Sequence, residues 1–369
     1  MKAIIGKCLM VVAVLLAIGC SRKSETAQLK NEPSQIAMEE LKKQLQTGQT
    51  APPEAPFKKR PFEPYIDGRW IGNAISYGCY RKGQAPGQVG PAKAEILEDL
   101  NLLSGQWNLI RVYNADDDTE RILQVIAENR LPFKMMLGIW LANEEKRPEQ
   151  KSENIENVLR GIKLANRYPE IVIAVSVGNE AQVFWSWHRM DMEKQLRYVR
   201  AVRSNTRVPV TVADDYNFWN KPEAGALAGE LDFIVTHIYP LWNGKTLDMA
   251  IPWMDSTFKD IQQRFPEHQV VLGETGWATT FNPDKKGPGE QGTLIKGEVS
   301  IPAQEQYLRE HNQWVKDNQV VTFLFEAFDE PWKGGGESSG PDEVEKHWGV
   351  YFENRTPKPS LVNYLKSIR

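Results

Sequence analysis

Two stretches of this chain end in a glutamate in the same way. In Val270-Val271-Leu272-Gly273-Glu274-Thr275-Gly276-Trp277, a short β-branched run gives way to glycine, a carboxylate and then a tryptophan. In Ile171-Val172-Ile173-Ala174-Val175-Ser176-Val177-Gly178-Asn179-Glu180, a longer apolar run gives way to glycine, asparagine and a carboxylate. Either glutamate alone reads as well as a solvated loop acid. As a pair at the ends of two strands of one sheet, they could divide the work of breaking a glycosidic acetal. One would attack or activate water while the other supplies a proton.

The elements that must position them are legible around both stretches. Short apolar runs at Asn73–Tyr77, Leu109–Tyr113, Lys134–Ile139, Ile171–Val177, Val208–Ala213, Phe233–Ile238, Val270–Gly273 and Val321–Ala327 read as buried strands. Helical patterns separate them at Ala92–Leu103, Thr119–Ala127, Ile155–Arg167, Met192–Arg203, Thr257–Arg264 and Ala303–Val315. Eight strands alternating with helices in about 300 residues predict a (β/α)8 barrel, the TIM-barrel class of α/β fold. A doubly wound open sheet is the alternative, but no glycine-rich phosphate loop follows the first strand.

In a barrel, all eight strand ends face one pocket. Here they carry Ser76-Tyr77-Gly78, Arg111-Val112-Tyr113, Trp140, Gly178-Asn179-Glu180, Asp214-Asp215-Tyr216, His237-Ile238-Tyr239-Pro240, Glu274-Thr275-Gly276-Trp277 and Glu326-Ala327-Phe328-Asp329-Glu330-Pro331-Trp332-Lys333. Polar and aromatic groups recur at every end. This ordered set, between about Ile71 and Phe352, resembles glycoside hydrolase family 17, the retaining β-1,3-glucanases and glucanosyltransferases. Ala278-Thr279 departs from the family's usual Pro-Ser.

The resemblance implies Glu180 as acid/base and Glu274 as nucleophile. It also implies a substrate-binding set of Tyr77, Arg111, Tyr113, Asn179, Tyr239, Trp277, Glu330, Trp332 and Lys333. Glu274 must stay ionised, with the Tyr239 hydroxyl as an expected donor, and Glu180 must stay protonated beside that charge. Asn179 can reach the sugar 2-hydroxyl. The expected substrate is β-1,3-glucan, with neither metal nor cofactor. A transglycosylase and a non-catalytic glucan-binding lipoprotein are the alternatives.

Other residues admit blander readings. His237 fits a pocket or packing residue better than a metal ligand, because five histidines are scattered without ligand spacing. Asp214 and Asp215 fit solvated strand-end acids as well as a third acidic centre. Trp185, Trp187, Trp242 and Trp332 could stack on sugars or fill the core. The stretch Asn282–Gly292 has the composition of a mobile rim loop.

The N-terminus carries a different signal. Lys2 and Lys7 precede an apolar run ending Leu16-Ala17-Ile18-Gly19-Cys20, which resembles a bacterial lipoprotein signal (residues 1–19) with Cys20 as the lipidated residue. Ser21 after it points to an outer-membrane lipid anchor on an exported protein. Residues 20–64 then read as lipidated cysteine and flexible polar linker, and 65–369 as one catalytic domain. Ile36–Gln46 is a possible short helix within the linker. Of three cysteines only Cys79 remains for the mature domain, so no internal disulfide is expected. A net charge of −3 gives no basic surplus for nucleic acid, and a monomer is expected.

Overall fold

A computed structural model describes residues 33–49 and 51–367. The signal-like segment and Cys20 lie outside them. Eight parallel strands, β1 (Asn73–Ser76), β2 (Leu109–Val112), β3 (Lys134–Ile139), β4 (Val172–Asn179), β5 (Val210–Asp215), β6 (Ile234–His237), β7 (Val270–Thr275) and β8 (Thr322–Leu324), pair in chain order and close where β8 meets β1. The protein is a (β/α)8 barrel.

Helix α1 (Gln35–Thr47) precedes the barrel, and α2 (Lys93–Leu103), α3 (Asp117–Glu128), α4 (Gln150–Arg167) and α5 (Met192–Asn205) follow β1 to β4. After β5 come only two short helices, Tyr216–Trp219 and Ala224–Ala228. Helices α6 (Leu247–Arg264), α7 (Ile301–Asn318) and α8 (Pro359–Ser367) follow β6, β7 and β8. The sequence pattern shows α6 only from Thr257, because Pro252 interrupts its first half. β8 is shorter than its apolar run. Beyond Leu324 pairing persists only as separate bonds, Phe325 N–H to Thr275 O (2.7 Å) and Ala327 N–H to Ser76 O (3.0 Å).

Two apolar layers follow from strand alternation. Ile75, Ile110, Met135, Leu137, Val175 and Leu272 face the helices, whereas Ala74, Leu109, Met136, Ala174, Ala213, Val235, Val271 and Phe323 form a second cluster. Phe62 belongs to that second cluster, stacked on Phe233 with ring centroids 4.6 Å apart.

The linker expectation is therefore corrected for its later part. Arg60 donates from its backbone to Asp232 Oδ1 and from its guanidinium to the carbonyls of Thr206, Val208 and Arg203. Helix α1 buries Leu45, and its Lys42 pairs with Glu156 on α4 at 2.5 Å. In this segment Leu45 and Phe62 are buried, Met38 and Leu41 pack against the same core as Leu45, and Lys42 and Arg60 bind carboxylates and carbonyls of the barrel. A short hairpin, Tyr65–Ile66 with Arg69–Trp70, leads into β1. Among the described residues no helix is long and apolar enough to cross a membrane.

Candidate active site

Both glutamates are aimed by an irregularity at the end of their strand. The β4–β5 register shifts between Ser176 and Asn179, and the β6–β7 register shifts between Thr236 and His237. Each shift falls at a glycine, and such bulges re-aim the next side chain. Gly178 adopts φ +97°, and Glu180 itself adopts φ +49°, a left-handed conformation uncommon for a residue with a side chain. Its N–H is fixed to Ala213 O at 2.8 Å. A Cβ at Gly273 would stand 2.2 Å from Val235 Cγ1, so only glycine fits before Glu274.

Glu274 is buried and held by three donors. Arg111 Nη1 (2.8 Å) and the Tyr113 hydroxyl (2.9 Å) donate to Oε1, and the Tyr239 hydroxyl (2.7 Å) donates to Oε2. Burial would push this carboxyl up, but His237, Arg111 and the two phenols outweigh it and hold it below the ordinary carboxylate range. Burial pushes His237 down to about 4, so near neutrality the ring is uncharged and Arg111 and the phenols carry the effect.

Glu180 has the opposite surroundings. Burial first, then the charge of Glu274, pushes its carboxyl well above the usual range, against Arg111. His237 Nδ1 lies 2.9 Å from Glu180 Oε1, and its Nε2 lies 3.2 Å from Arg111 Nη1. Arginine can only donate, so Nε2 accepts and the imidazole proton sits on Nδ1, pointing at Glu180 Oε1. The acid's own proton is therefore left to Oε2. Glu180, His237 and Glu274 each bring one ligand-type atom within 4.8 Å of the others. This trio has the atom types of a cation site, but Arg111 Nη1 already bridges His237 Nε2 and Glu274 Oε1, so a guanidinium supplies the positive charge there.

The end of β8 forms a third buried acidic element. Lys333 Nζ pairs with Glu326 at 2.6 Å and Glu330 at 2.7 Å, and lies 4.2 Å from the centroid of Phe325. Trp332 Nε1 donates to Glu330 Oε1 at 3.0 Å. Burial, with Glu330 adding to it, raises Glu326 well above the usual range. Burial also acts on Glu330, but Lys333 and the hydrogen bonds from Glu326, Lys333 and Trp332 hold it low.

With this geometry in view, the comparison with known proteins is specific. Residues 74–349 match the BtgE/BtgC glycoside hydrolase domain family. The chain belongs to this family. A glucan 1,3-beta-glucosidase of Arthroderma benhamiae is 27% identical over 277 residues, covering 72% of this chain and 83% of that one. A putative glucan endo-1,3-beta-glucosidase, btgC, of Aspergillus niger is 26% identical over 286 residues, and the match spans only 40% of its length. Among solved structures, an endo-laminarinase from Formosa Hel1_33_131 superposes with a TM-score of 0.69 at 23% identity, covering 80% of this chain and 88% of that one. A glycoside hydrolase family 17 beta-1,3-glucanosyltransferase from Rhizomucor miehei gives 0.62, also at 23% identity, covering 78% and 96%. At that identity the two structures speak for the shared barrel alone.

Within this glycoside hydrolase domain, the expected site residues separate into layers. Asn179, Tyr113, Tyr239, Lys333, Glu330 and Trp332 gather around the two glutamates and the β8 end. Asn179 Oδ1 is held by Arg111 Nη2 at 2.6 Å. Three expected substrate contacts are corrected. Tyr77 is buried, with its hydroxyl 3.1 Å from Asp99 Oδ2. Trp277 is buried against Tyr307 and donates to Glu298 O. Arg111 is 2% exposed and spends its guanidinium on Glu274, His237, Gly273 O and Asn179, so it positions rather than touches. Tyr77 and Trp277 turn into the wall, and Arg111 stays among the site residues as their buried partner.

Asp214 and Asp215 are not solvated either. Asp214 accepts the N–H groups of Gln182, Val183 and Asp215, and Asp215 accepts that of Asn217. The Asn282–Gly292 stretch is pinned through buried Gln291, whose Oε1 accepts from Asn282 and Val344 N–H and whose Nε2 donates to Glu343. Sequence reasoning missed Glu326 as a site residue, although it stood inside the β8 motif and pairs with Lys333.

Proposed function

We propose that this chain is a retaining glycosidase acting on β-1,3-linked glucan, with Glu274 as nucleophile and Glu180 as acid/base. One observation carries the reading. An ionised and a protonated carboxyl bring oxygens within 4.8 Å of each other, each state enforced by its own surroundings. A retaining site needs about 5–5.5 Å between its carboxyl groups, and an inverting one about 6.5–9.5 Å to admit water.

Glu274 attacks the anomeric carbon as Glu180 passes its Oε2 proton to the leaving oxygen. Glu180 then takes a proton from the incoming water or sugar hydroxyl, which displaces Glu274. Arg111, Tyr113 and Tyr239 neutralise the carboxylate before attack and after release, and His237 holds Glu180 in line. The names of the similar fungal proteins support β-1,3-glucan as substrate. A glucan-binding lipoprotein without catalysis would have no use for two carboxyls held in opposite states.

Azide rescue on an activated aryl β-laminarioligosaccharide tests the assignment. Glu180→Ala should yield the β-glycosyl azide, because the anion attacks the glycosyl-enzyme without a base. Glu274→Ala should yield the α-azide from the vacated face. Exchanged anomers would swap the roles, and full activity in both variants would sink the site.

For the N-terminus we propose export and lipidation at Cys20, supported by the charged-then-apolar segment and the small residue before the cysteine. Cys20→Ser should shift the protein from the detergent to the aqueous phase in cell fractionation. Unchanged partitioning would refute the anchor.

A further inference from the structure

The loop between β4 and α5 carries Phe184, Trp185 and Trp187, exposed by 69%, 51% and 63%, and the mechanism above uses none of them. Their loop is firmly built. Met190 N–H closes its base on Ala181 O at 2.9 Å, Asp214 accepts from Gln182 and Val183, and Gln182 Nε2 donates to Gln195 Oε1 at 2.8 Å. The Asn143 amide donates to the Arg189 carbonyl from the neighbouring loop. Three large rings held in water by an ordered backbone are a surface awaiting a partner.

That surface is continuous with the site. The Trp187 ring lies 4.9 Å from His188, His188 lies 4.5 Å from Trp140 at the end of β3, and His188 Nε2 is 2.7 Å from the carbonyl of Asn179. The row thus runs from the residue beside Glu180 out to solvent. Phe184 is four residues from Glu180, so their Cα atoms are at most about 14 Å apart.

We propose that this aromatic row binds the leaving-group and acceptor portion of a β-1,3-glucan chain. The inference rests on the glucan-cleaving reading above and assigns a side to it. Glu180 protonates the leaving oxygen, and the loop springs from Glu180, whereas Lys333 and Glu330 stand at the end of β8, beside Glu274 on β7. The apolar faces of sugar rings stack on aromatic faces, and Arg147, 5.7 Å from the Trp187 ring centroid, offers a guanidinium to hydroxyls.

The row also bears on the second chemical step. A glucan held there presents its terminal 3-hydroxyl to the glycosyl-enzyme in place of water. The new O3–C1 bond forms, the C1–Glu274 ester bond breaks, and the hydroxyl proton passes to the Glu180 carboxylate. The row therefore favours transfer over hydrolysis.

The test compares the wild-type protein with the paired Trp185→Ala/Trp187→Ala and Trp185→Tyr/Trp187→Tyr variants. Long laminari-oligosaccharides and an aryl β-laminaribioside, which leaves only a small phenol on that side, serve as substrates. One stacked ring is worth about 2- to 10-fold. The alanine pair should raise KM for the long substrate by about 10-fold and lower the transfer-to-hydrolysis ratio several-fold, with a much smaller change on the aryl substrate. The tyrosine pair should recover most of both.

Equal changes on both substrates, or no change on the long one, would overturn the proposal. Loss of binding to anionic phospholipid vesicles, with glucan kinetics intact, would give the rings to a membrane and overturn it too. Absence of any wild-type turnover or binding of laminari-oligosaccharides would instead strike the function proposed above.

Discussion

At the scale of residues, the site works by giving two like carboxyls unlike neighbours. Glu274 has three donors, one of them a guanidinium, and Glu180 has one neutral imidazole and its negative neighbour. The sign for activity follows directly. As the proposed nucleophile Glu274 must be deprotonated, so the acidic limb of kcat/KM should lie below the ordinary carboxylate range. As the proposed acid Glu180 must be protonated, so the alkaline limb should lie above it. Tyr239→Phe removes the donor to Oε2, and a hydrogen bond to a charged group is worth about 1.5–3 kcal/mol. Glu274 should then hold its proton to higher pH, and the acidic limb should move up by about 1–2 pH units. A pH–rate profile in which that limb stays put would show that Tyr239 does not set the ionisation of Glu274.

At the scale of elements, the strand ends matter more than the strands. A bulge at Gly178 and another at Gly273 turn two apolar runs into two aimed carboxyls, and β5 then braces the result. Buried Asp214 accepts three backbone N–H groups, two of them in the loop that follows Glu180. Asp214→Ala would leave those donors unpaired, at a cost of about 2–4 kcal/mol. Urea unfolding should show that loss, together with a fall in kcat as Glu180 loses its brace. Asp214→Asn keeps one acceptor oxygen and should lose clearly less of both. Equal effects from the two substitutions would mean that Asp214 acts by its charge and not as a backbone acceptor.

At the scale of the whole molecule, the barrel has a worked face and a closed one. The chain before β1 packs Phe62 among Ile71, Ala74, Phe233 and Val321 at the strands' N-terminal ends, opposite the glutamates. Phe62→Ala should therefore cost about 3–5 kcal/mol, read as a lower urea midpoint. Hydrolysis of an aryl glycoside at low temperature should hold within about twofold. A large change in kcat with an unchanged midpoint would mean that this segment reaches the catalytic face.

The barrel was legible in the sequence because buried parallel strands read as short continuous apolar runs, and eight such runs survive without any knowledge of their partners. The two glutamates were legible for a related reason, since a glycine and a carboxylate directly after an apolar run mark a strand end whatever surrounds it. Direction was not legible. Tyr77, Arg111 and Trp277 stand in the same motifs as Tyr239 and Glu274. Only the packed structure shows that Tyr77 and Trp277 turn into the wall and that Arg111 is spent on Glu274, His237 and Asn179, because orientation at a strand end depends on bulges, register and the volume of neighbours far away in the chain. The same holds for charge. Glu180, Glu274 and Glu326 are one residue type in the sequence, and their protonation diverges only where folding buries them beside different partners, Arg111 and the phenols for one, a negative neighbour for the others.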